Sequence, residues 1–360
     1  MPAIHQLVAG FSNGDAISNE ALVLRRMFRS WGYDSAIYSE VRRILPELRS
    51  DAKNVAALAD TLNPDDVALL HFSIGSPVNE VFADLSCRKV ILYHNVTPAH
   101  YFDMINKQTA FDLAKGRQQL KTLANVASVN LADSQFNADE LTELGFSSPR
   151  VLPLVLDLEK LKNGIDRRIM QRFNDGRINI LFVGRVAPNK KIEDLIQAFL
   201  CFNRTVQADS RLINVGSFAG TEPYYYYLLA QTQDLDDDHV HFAGSVPQSQ
   251  LNAYYQCADI FLCMSEHEGF CIPLIEAMVH DIPVLAFAAG AVPETLDGSG
   301  IVFHEKDYPQ LAEMLGHLTK DSELRGAVIH SQRKRLERYR ERKLEQELQE
   351  HLAPVLSAQS

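Results

Sequence analysis

Residues 157–183, DLEKLKNGIDRRIMQRFNDGRINILFV, stop one pattern and start it again. The first part, up to Arg177, is polar, holds Gly164 and Gly176 and has no sustained apolar run, the composition of a connector between folding units. Ile178-Asn-Ile-Leu-Phe-Val183 is then a short apolar run of the kind buried in a parallel sheet, and Ile192, Leu195, Ile196 and Phe199 follow as a helical stripe. Downstream the alternation continues, with strands expected at residues 212–215, 240–243, 260–264, 284–287 and 301–303. Upstream it is already running. Residues 5–9 read as a strand, 10–15 as a glycine-containing turn, and Leu22, Leu24, Met27, Phe28 and Trp31 as the apolar side of a helix closed by Gly32. Residues 33–38, 67–72, 90–94 and 126–132 are further strands, the last followed by Asp133-Ser134 as a helix cap. Strands alternating with helices on both sides of one connector predict an α/β protein of two facing, doubly wound Rossmann-like domains. The first spans residues 1–156, the linker 157–177 and the second 178–339. A charged helix over about residues 331–355, with Leu336, Tyr339, Leu344, Leu348 and Leu352 as contacts, follows. Its part 340–360 is expected to cross back and complete the first domain.

Bulk properties agree with this division. A length of 360 residues exceeds one ordinary core, and 46% hydrophobic residues suffice to fill two. The net charge of -11 argues against a chain that coats nucleic acid. Cys87, Cys201, Cys257, Cys263 and Cys271 form no C-x-x-C pair, so neither a disulfide framework nor a zinc knuckle is suggested. The opening MPAIHQLVAGFSNGD has no basic stretch followed by a long apolar one, and no apolar run reaches membrane-spanning length; the expected location is the cytoplasm.

The densest chemistry is in residues 265–278, SEHEGFCIPLIEAM. This stretch follows a strand and enters a helix near Pro273, a residue suited to a first helical turn. Backbone N–H groups at such a start, with the helix dipole behind them, can receive a diphosphate. Glu268 lies in the loop, where its carboxylate can accept from sugar hydroxyls; Glu276, expected on the first helical turn, can bind two adjacent hydroxyls such as those of a ribose. A solvated loop acid and a dipole-favoured glutamate are the plain alternatives. A second group is residues 182–191, FVGRVAPNKK, where Arg185 and Lys190 follow a strand and can converge on a diphosphate at the carboxyl edge of the sheet. Surface charge is the plain alternative there. His94 and Asn95 end a strand in LYHNVTP, and His71 ends the one before it in HFSIGS. Gly14-Asp15 occupies the first strand-to-helix turn without a full G-x-G-x-x-G, which speaks against a dinucleotide fingerprint; an ordinary turn glycine and a capping aspartate fit equally well.

The two glutamates seven residues apart in EGFCIPLIEAM, with GR-x4-K upstream, resemble the signature of retaining glycosyltransferases of family 4, the group 1 type. The resemblance implies the two-domain GT-B fold and transfer of a hexose, of mannose or rhamnose type, from a nucleotide diphosphate sugar to a glycan or lipid-linked glycan in surface polysaccharide or lipopolysaccharide synthesis. It implies neither a metal nor another cofactor. By resemblance, Arg185 and Lys190 neutralise the leaving diphosphate, Glu268 meets the donor sugar, Glu276 the ribose, and His94 the transferred sugar. Gly184, Gly269, Phe270, Cys271, Pro273, Leu274, Val246 and Gly14 would complete the donor site, and Asp15 and Asn95 would touch the acceptor. Cys271 and Lys191 stand where many relatives have glycine. Residues 242–247, FAGSVP, resemble the loop that meets the nucleobase, and 290–295, GAVPET, the turn lining the donor cleft, where Glu294 serves as a helix cap or as a ligand. The HNVTP and SEHEGFC variants favour GDP-mannose as donor, with a UDP-hexose second.

Other readings within reach are a sugar-nucleotide epimerase, a phosphorylase, and a non-catalytic nucleotide-sugar scaffold; intact Arg185, Lys190, Glu268 and Glu276 argue against the last. Asp236-Asp237-Asp238 reads as a solvated turn rather than a metal site, and the run 224–227 as helix packing with an exposed edge. Arg25, Arg26 and Arg29 read as a solvated basic face, with contact to an anionic membrane surface as the alternative.

Overall fold

The computed structural model describes residues 2–156, 158, 160–233 and 239–356. The acidic turn 236–238 lies outside the described residues. Contacts divide the chain into two compact units. Unit 1 comprises Met1–His100, Lys107–Leu156 and Lys343–Ser360, and unit 2 comprises Tyr101–Asn106 and Asp157–Arg342.

Unit 1 is built on seven strands: β1 (Ile4–Val8), β2 (Ile37–Ser39), β3 (Ala52–Asn54), β4 (Val67–Phe72), β5 (Arg88–Tyr93), β6 (Val129–Ala132) and β7 (Arg150–Val151). All pair in parallel in the order β3-β2-β1-β4-β5-β6-β7. The strand order reverses between β1 and β4, the place where open α/β sheets collect functional side chains. Val67-Ala-Leu-Leu-His-Phe72 is buried at every position, which explains an apolar run without alternation: helices cover both faces. The helix Ala16–Ser30 begins at Asp15, whose carboxylate accepts from Ser18 N at 2.8 Å and Ser18 Oγ at 2.7 Å. It buries Leu24 and Phe28, but also Glu20.

Unit 2 is built on six parallel strands: β8 (Ile178–Val183), β9 (Ser210–Val215), β10 (Val240–Gly244), β11 (Ile260–Cys263), β12 (Val284–Phe287) and β13 (Ile301–Phe303). Their order is β10-β9-β8-β11-β12-β13, again reversing beside the first strand of the unit. Both units therefore have the Rossmann-like α/β architecture expected from the sequence.

The differences are local. The strand expected at 33–38 is confined to Ile37–Ser39, because Trp31 and Gly32 still close the preceding helix onto Met27 and Arg29. The strand expected from 126 begins at Val129, since Leu123 and Val126 donate in successive turns. The single charged helix expected over 331–355 is two helices, Ser322–Glu341 and Leu344–Leu356, parted where Arg342 turns extended (φ -69, ψ 122). Leu336 and Tyr339 are buried in the first. Leu348, Leu352 and Val355 of the second join the unit 1 core with Ile4, Phe28, Leu69, Leu92 and Leu131, as a crossing helix should. The segment 157–177 contains a 3-10 turn at Lys160–Lys162 and a helix at Arg167–Phe173, capped by Asp166. Arg25 pairs with Asp51 at 2.7 Å and Arg29 donates to Ser35 O, so two of the three clustered arginines are engaged inside unit 1. Tyr224 is buried while Tyr226 and Tyr227 are exposed, the packed helix with an open edge that the sequence suggested. No described helix is long and apolar enough to cross a membrane.

Candidate functional site

In unit 2 the polypeptide leaving β8 makes one 3-10 turn, Pro188–Lys190, and enters the helix Ile192–Thr205. The hinge residue Lys191 is left-handed (φ 51), which accounts for a position where glycine would be at ease. That turn is tied to the loop after β11: Glu266 N donates to Asn189 O at 2.9 Å, and Asn189 Nδ2 to His267 O at 3.2 Å. The ties bring Lys190 and Glu268 together. Lys190 Nζ lies 2.8 Å and 2.7 Å from the two Glu268 oxygens. Glu268 is buried at 8% exposure and Lys190 is half-buried, so one ammonium meets both oxygens of a largely desolvated carboxylate. Burial alone would lower the pKa of the Lys190 ammonium; Glu268 and the neighbouring Cys271 outweigh it and hold the group above its ordinary value.

The loop is fixed from behind by the turn after β12. Ala291 N donates to Glu268 O at 3.0 Å, and a Cβ on Gly290 (φ +56) would fall 2.3 Å from that same oxygen. Only glycine permits this approach. Cys271, at φ 69, is the left-handed residue from which the helix Ile272–Val279 starts, with Pro273 in its first turn and Leu274 buried. Glu276 is the fifth residue of that helix, on the second turn rather than the first, because the helix begins one residue before Pro273. Tyr255 donates its hydroxyl to Glu276 Oε2 at 2.6 Å, and His280 stacks on the Tyr255 ring at 5.1 Å. Burial raises the Glu276 pKa, opposed by the tyrosine hydroxyl. Arg185 is exposed and donates to Ala219 O at 3.1 Å. Gly184 ends near β8 and Gly269, Phe270 and Val246 lie in their respective loops, with Phe270 O accepting from Thr295. Glu294 stands in the first turn of the helix Val292–Leu296, where no side-chain cap is formed.

Residues 166–335 match the family described as glycosyl transferases group 1. The chain carries a group 1 glycosyl transferase domain. Among curated proteins, it is 29% identical over 224 residues to a GDP-mannose-dependent alpha-(1-6)-phosphatidylinositol monomannoside mannosyltransferase of Mycolicibacterium smegmatis, covering 58% of this chain and 57% of that protein. It is 29% identical over 143 residues to the O-antigen chain mannosyltransferase B of Escherichia coli, covering 39% and 37%. The chain thus spans about half or less of the length of these relatives. Among solved structures, Anabaena Alr3699/HepE in complex with UDP and glucose superposes with a TM-score of 0.77 over 98% of this chain and 100% of that one, at 18% identity. Sucrose-phosphate synthase from Thermosynechococcus elongatus gives 0.71 over 93% and 94%, at 16%. At such identity the likeness speaks for the fold, the GT-B class of two Rossmann-like domains in one chain.

Sequence reasoning missed a second layer in the group 1 domain. Glu266 accepts from Lys306 at 2.8 Å and from Tyr101 at 3.3 Å, and Lys306 also reaches Asp194 at 2.6 Å. Tyr255 and Lys306 lie far in sequence from the residues they hold and belong to no motif.

In unit 1 the residues singled out near the ends of β4 and β5 form one buried cluster. His71 Nδ1 is 3.0 Å from His94 Nε2, with the ring centroids 5.2 Å apart and the planes 5° from parallel, the in-line arrangement of a hydrogen bond between the two imidazoles. Glu20 Oε2 is 3.6 Å from His94 Nε2 and 3.9 Å from His71 Nδ1, and Asp133 Oδ2 is 3.5 Å from His94 Nδ1. The His94 side chain is 3% exposed. Asn95, left-handed at φ 78, is buried and donates to Asn137. Gly14 and Asp15 occupy the turn before the first helix, where Gly14 is exposed and left-handed at φ 72. Among the described residues, two groups of His, Cys and Glu side chains have ligand atoms close enough together to suggest a metal: Glu20, His71 and His94 in unit 1, and Cys263, Glu268 and Cys271 in unit 2. In the second, both Glu268 oxygens already face the Lys190 ammonium, which opposes a further cation.

Proposed function

We propose that this chain is a retaining glycosyltransferase of family 4 that moves a hexose from a nucleotide diphosphate sugar to a glycan or lipid-linked glycan during surface polysaccharide synthesis. The observation that supports this reading most is the Lys190 ammonium seated on both oxygens of Glu268, in the loop that opens the helix Ile272–Val279. A cation and a helix start together suit a departing pyrophosphate.

In this reading Lys190, Arg185 and the N–H groups of that helix receive the diphosphate, Glu268 meets the sugar and Glu276 the ribose. Gly184, Val246, Gly269, Phe270, Cys271, Pro273 and Leu274 line the donor. As the C1–O bond lengthens, negative charge grows on the leaving phosphate oxygen and positive charge on the ring. Fixed cations and dipoles act on that developing charge, so no divalent ion is required at the diphosphate. The acceptor hydroxyl attacks from the face the leaving group departs, and its proton passes to the phosphate oxygen, which retains the anomeric configuration. Unit 1 receives the acceptor, with the exposed turn at Gly14 and Asp15 as its contact; His94 and Asn95, both buried, shape the end of β5. The mannosyl names among the relatives favour a GDP-mannose donor, and the UDP in the Anabaena structure keeps a UDP-hexose second. The reaction would run on the cytoplasmic side, at the membrane surface if the acceptor is lipid-linked.

Thermal-shift titration with GDP and UDP, then with their hexose conjugates, tests the donor. One nucleotide should raise the melting temperature in the wild type, and Glu276→Ala should reduce that shift. NMR of the product should show the donor's anomeric configuration. An inverted product, or no response to any nucleotide diphosphate, overturns the reading.

A further inference from the structure

We propose that Asp133 and His71 are positioning residues for the end of β5, together clamping His94 as an imidazolium by both of its ring nitrogens. The inference rests on the proposed transfer reaction, in which that edge of unit 1 serves the acceptor. His71 lies in β4 and Asp133 follows β6, so the sheet sets them on either side of β5.

Hydrogen bonds fix the protons in order. Gln6 Nε2 donates to Ala21 O at 2.9 Å, which leaves Gln6 Oε1 to face His71 Nε2 at 2.9 Å. His71 Nε2 therefore carries a proton, and His71 Nδ1 is the lone pair. The two imidazoles lie in line, Nδ1 to Nε2 at 3.0 Å, with planes 5° from parallel. One proton fits between them, and it belongs to His94 Nε2. His94 Nδ1 then faces Asp133 Oδ2 at 3.5 Å. A neutral His94 would set a lone pair against that carboxylate; a protonated Nδ1 makes an ion pair with it. Burial raises the Asp133 pKa, while His94 and the Asn137 amide, which donates to the other oxygen at 2.5 Å, favour the carboxylate.

The surrounding charges support the ion pair. Burial alone would lower the His94 pKa; Asp133, Glu20 and Asp15 outweigh it and hold it above its ordinary value. His71 goes the other way, pushed well down by burial and by the His94 charge. Glu20 places Oε2 3.6 Å from His94 Nε2, and its Oε1 accepts from Val155 N at 3.4 Å. Burial raises the Glu20 pKa to about 7, so near neutrality it can carry its own proton and leave His94 to Asp133. The clamp reaches one residue further. Asn137 Oδ1 accepts from Asn95 Nδ2 at 2.6 Å, and Asn95 is left-handed at φ 78. One buried chain thus runs from Gln6 through both histidines and Asp133 to Asn95. With both nitrogens occupied, His94 offers the reaction a fixed charge and a fixed backbone, and does not serve as a general base.

Nitrogen-15 NMR of the full-length protein labelled in histidine tests the protonation. At about pH 7 His94 should show both ring nitrogens protonated and His71 only Nε2, and titration should place the His94 pKa above 6.5. Asp133→Asn, which keeps the shape, should lower that pKa by roughly 1–3 pH units. His71→Leu, which removes the acceptor, should lower it too. With GDP-mannose or UDP-glucose as donor and octyl α-mannoside as acceptor probe, Asp133→Asn should reduce kcat roughly 10- to 100-fold. Its activity should fade at a lower pH than that of the wild type on the alkaline side, while the nucleotide-induced thermal shift stays unchanged. Asp133→Glu should restore part of the loss. A loss equal at every pH would mark a merely structural residue and overturn the proposal, as would a neutral His94 at about pH 7 in the wild type. Absence of transfer from both donors counts against the proposed function, and the histidine resonances still decide the clamp.

Discussion

Lys190 has two duties that mutation can separate. It neutralises buried Glu268 in the free protein, and in the proposed reaction it meets the diphosphate. Lys190→Met leaves a buried carboxylate unpaired, and losing one partner of such a pair costs about 3–5 kcal/mol. Adding Glu268→Gln should recover much of that stability in urea unfolding while turnover stays lost. Full recovery of turnover in the double variant would remove Lys190 from the chemistry. Tyr255→Phe should cost about 1–3 kcal/mol, since Glu276 loses its donor inside the domain. It should also reduce the nucleotide-induced thermal shift. His280 gives a pH signature. Burial pushes its pKa down to about 4, while the unfolded chain keeps the ordinary 6.5. Between those values the unfolded state binds the extra proton, so stability is complete above about pH 6.5 and falls as the pH drops toward 4, by at most ~3 kcal/mol. His280→Gln should flatten that part of the urea-unfolding profile relative to wild type. At this scale the sequence exposed Arg185, Lys190, Glu268 and Glu276, because each follows an apolar run in a recognisable spacing. It hid Glu20 and Tyr255, whose positions on helix faces look like any other polar or aromatic residue until the fold turns them inward.

At the scale of elements, the loops at the carboxyl ends of β8, β11 and β12 hold the site through backbone contacts. Gly290 is the tightest of these. Gly290→Ala adds a methyl 2.3 Å from Glu268 O at a left-handed φ, so the loop must move. A loss of about 2–4 kcal/mol is expected by chemical denaturation. Cys271→Gly, by contrast, relieves a left-handed residue and should leave stability within about 1 kcal/mol. Central strands were legible as continuous apolar runs. The short edge strands β3 and β7 were not, since three residues and two residues carry no period. The break between the last two helices was also invisible, because residues 331–355 keep a helical composition throughout and only the backbone at Arg342 departs from it.

At the scale of the whole molecule, both domains and the crossing helix could be read from the rhythm of strands and helices. What rhythm could not assign was the short stretch Tyr101–Asn106, which lies between two segments of unit 1 yet packs with unit 2. Asn106 donates to Gly220 O at 2.8 Å there, a contact with no local sequence signal. The helix Leu344–Leu356 sets a condition on how the chain folds as it is made. The flank of the unit 1 sheet beneath Leu348, Leu352 and Val355 is translated first and covered last, after all of unit 2 has left the ribosome. A chain truncated before Leu344 should therefore present a protease-resistant unit 2 and an exposed, chaperone-binding apolar flank on unit 1, and maturation of the earlier half should wait for the helix Leu344–Leu356.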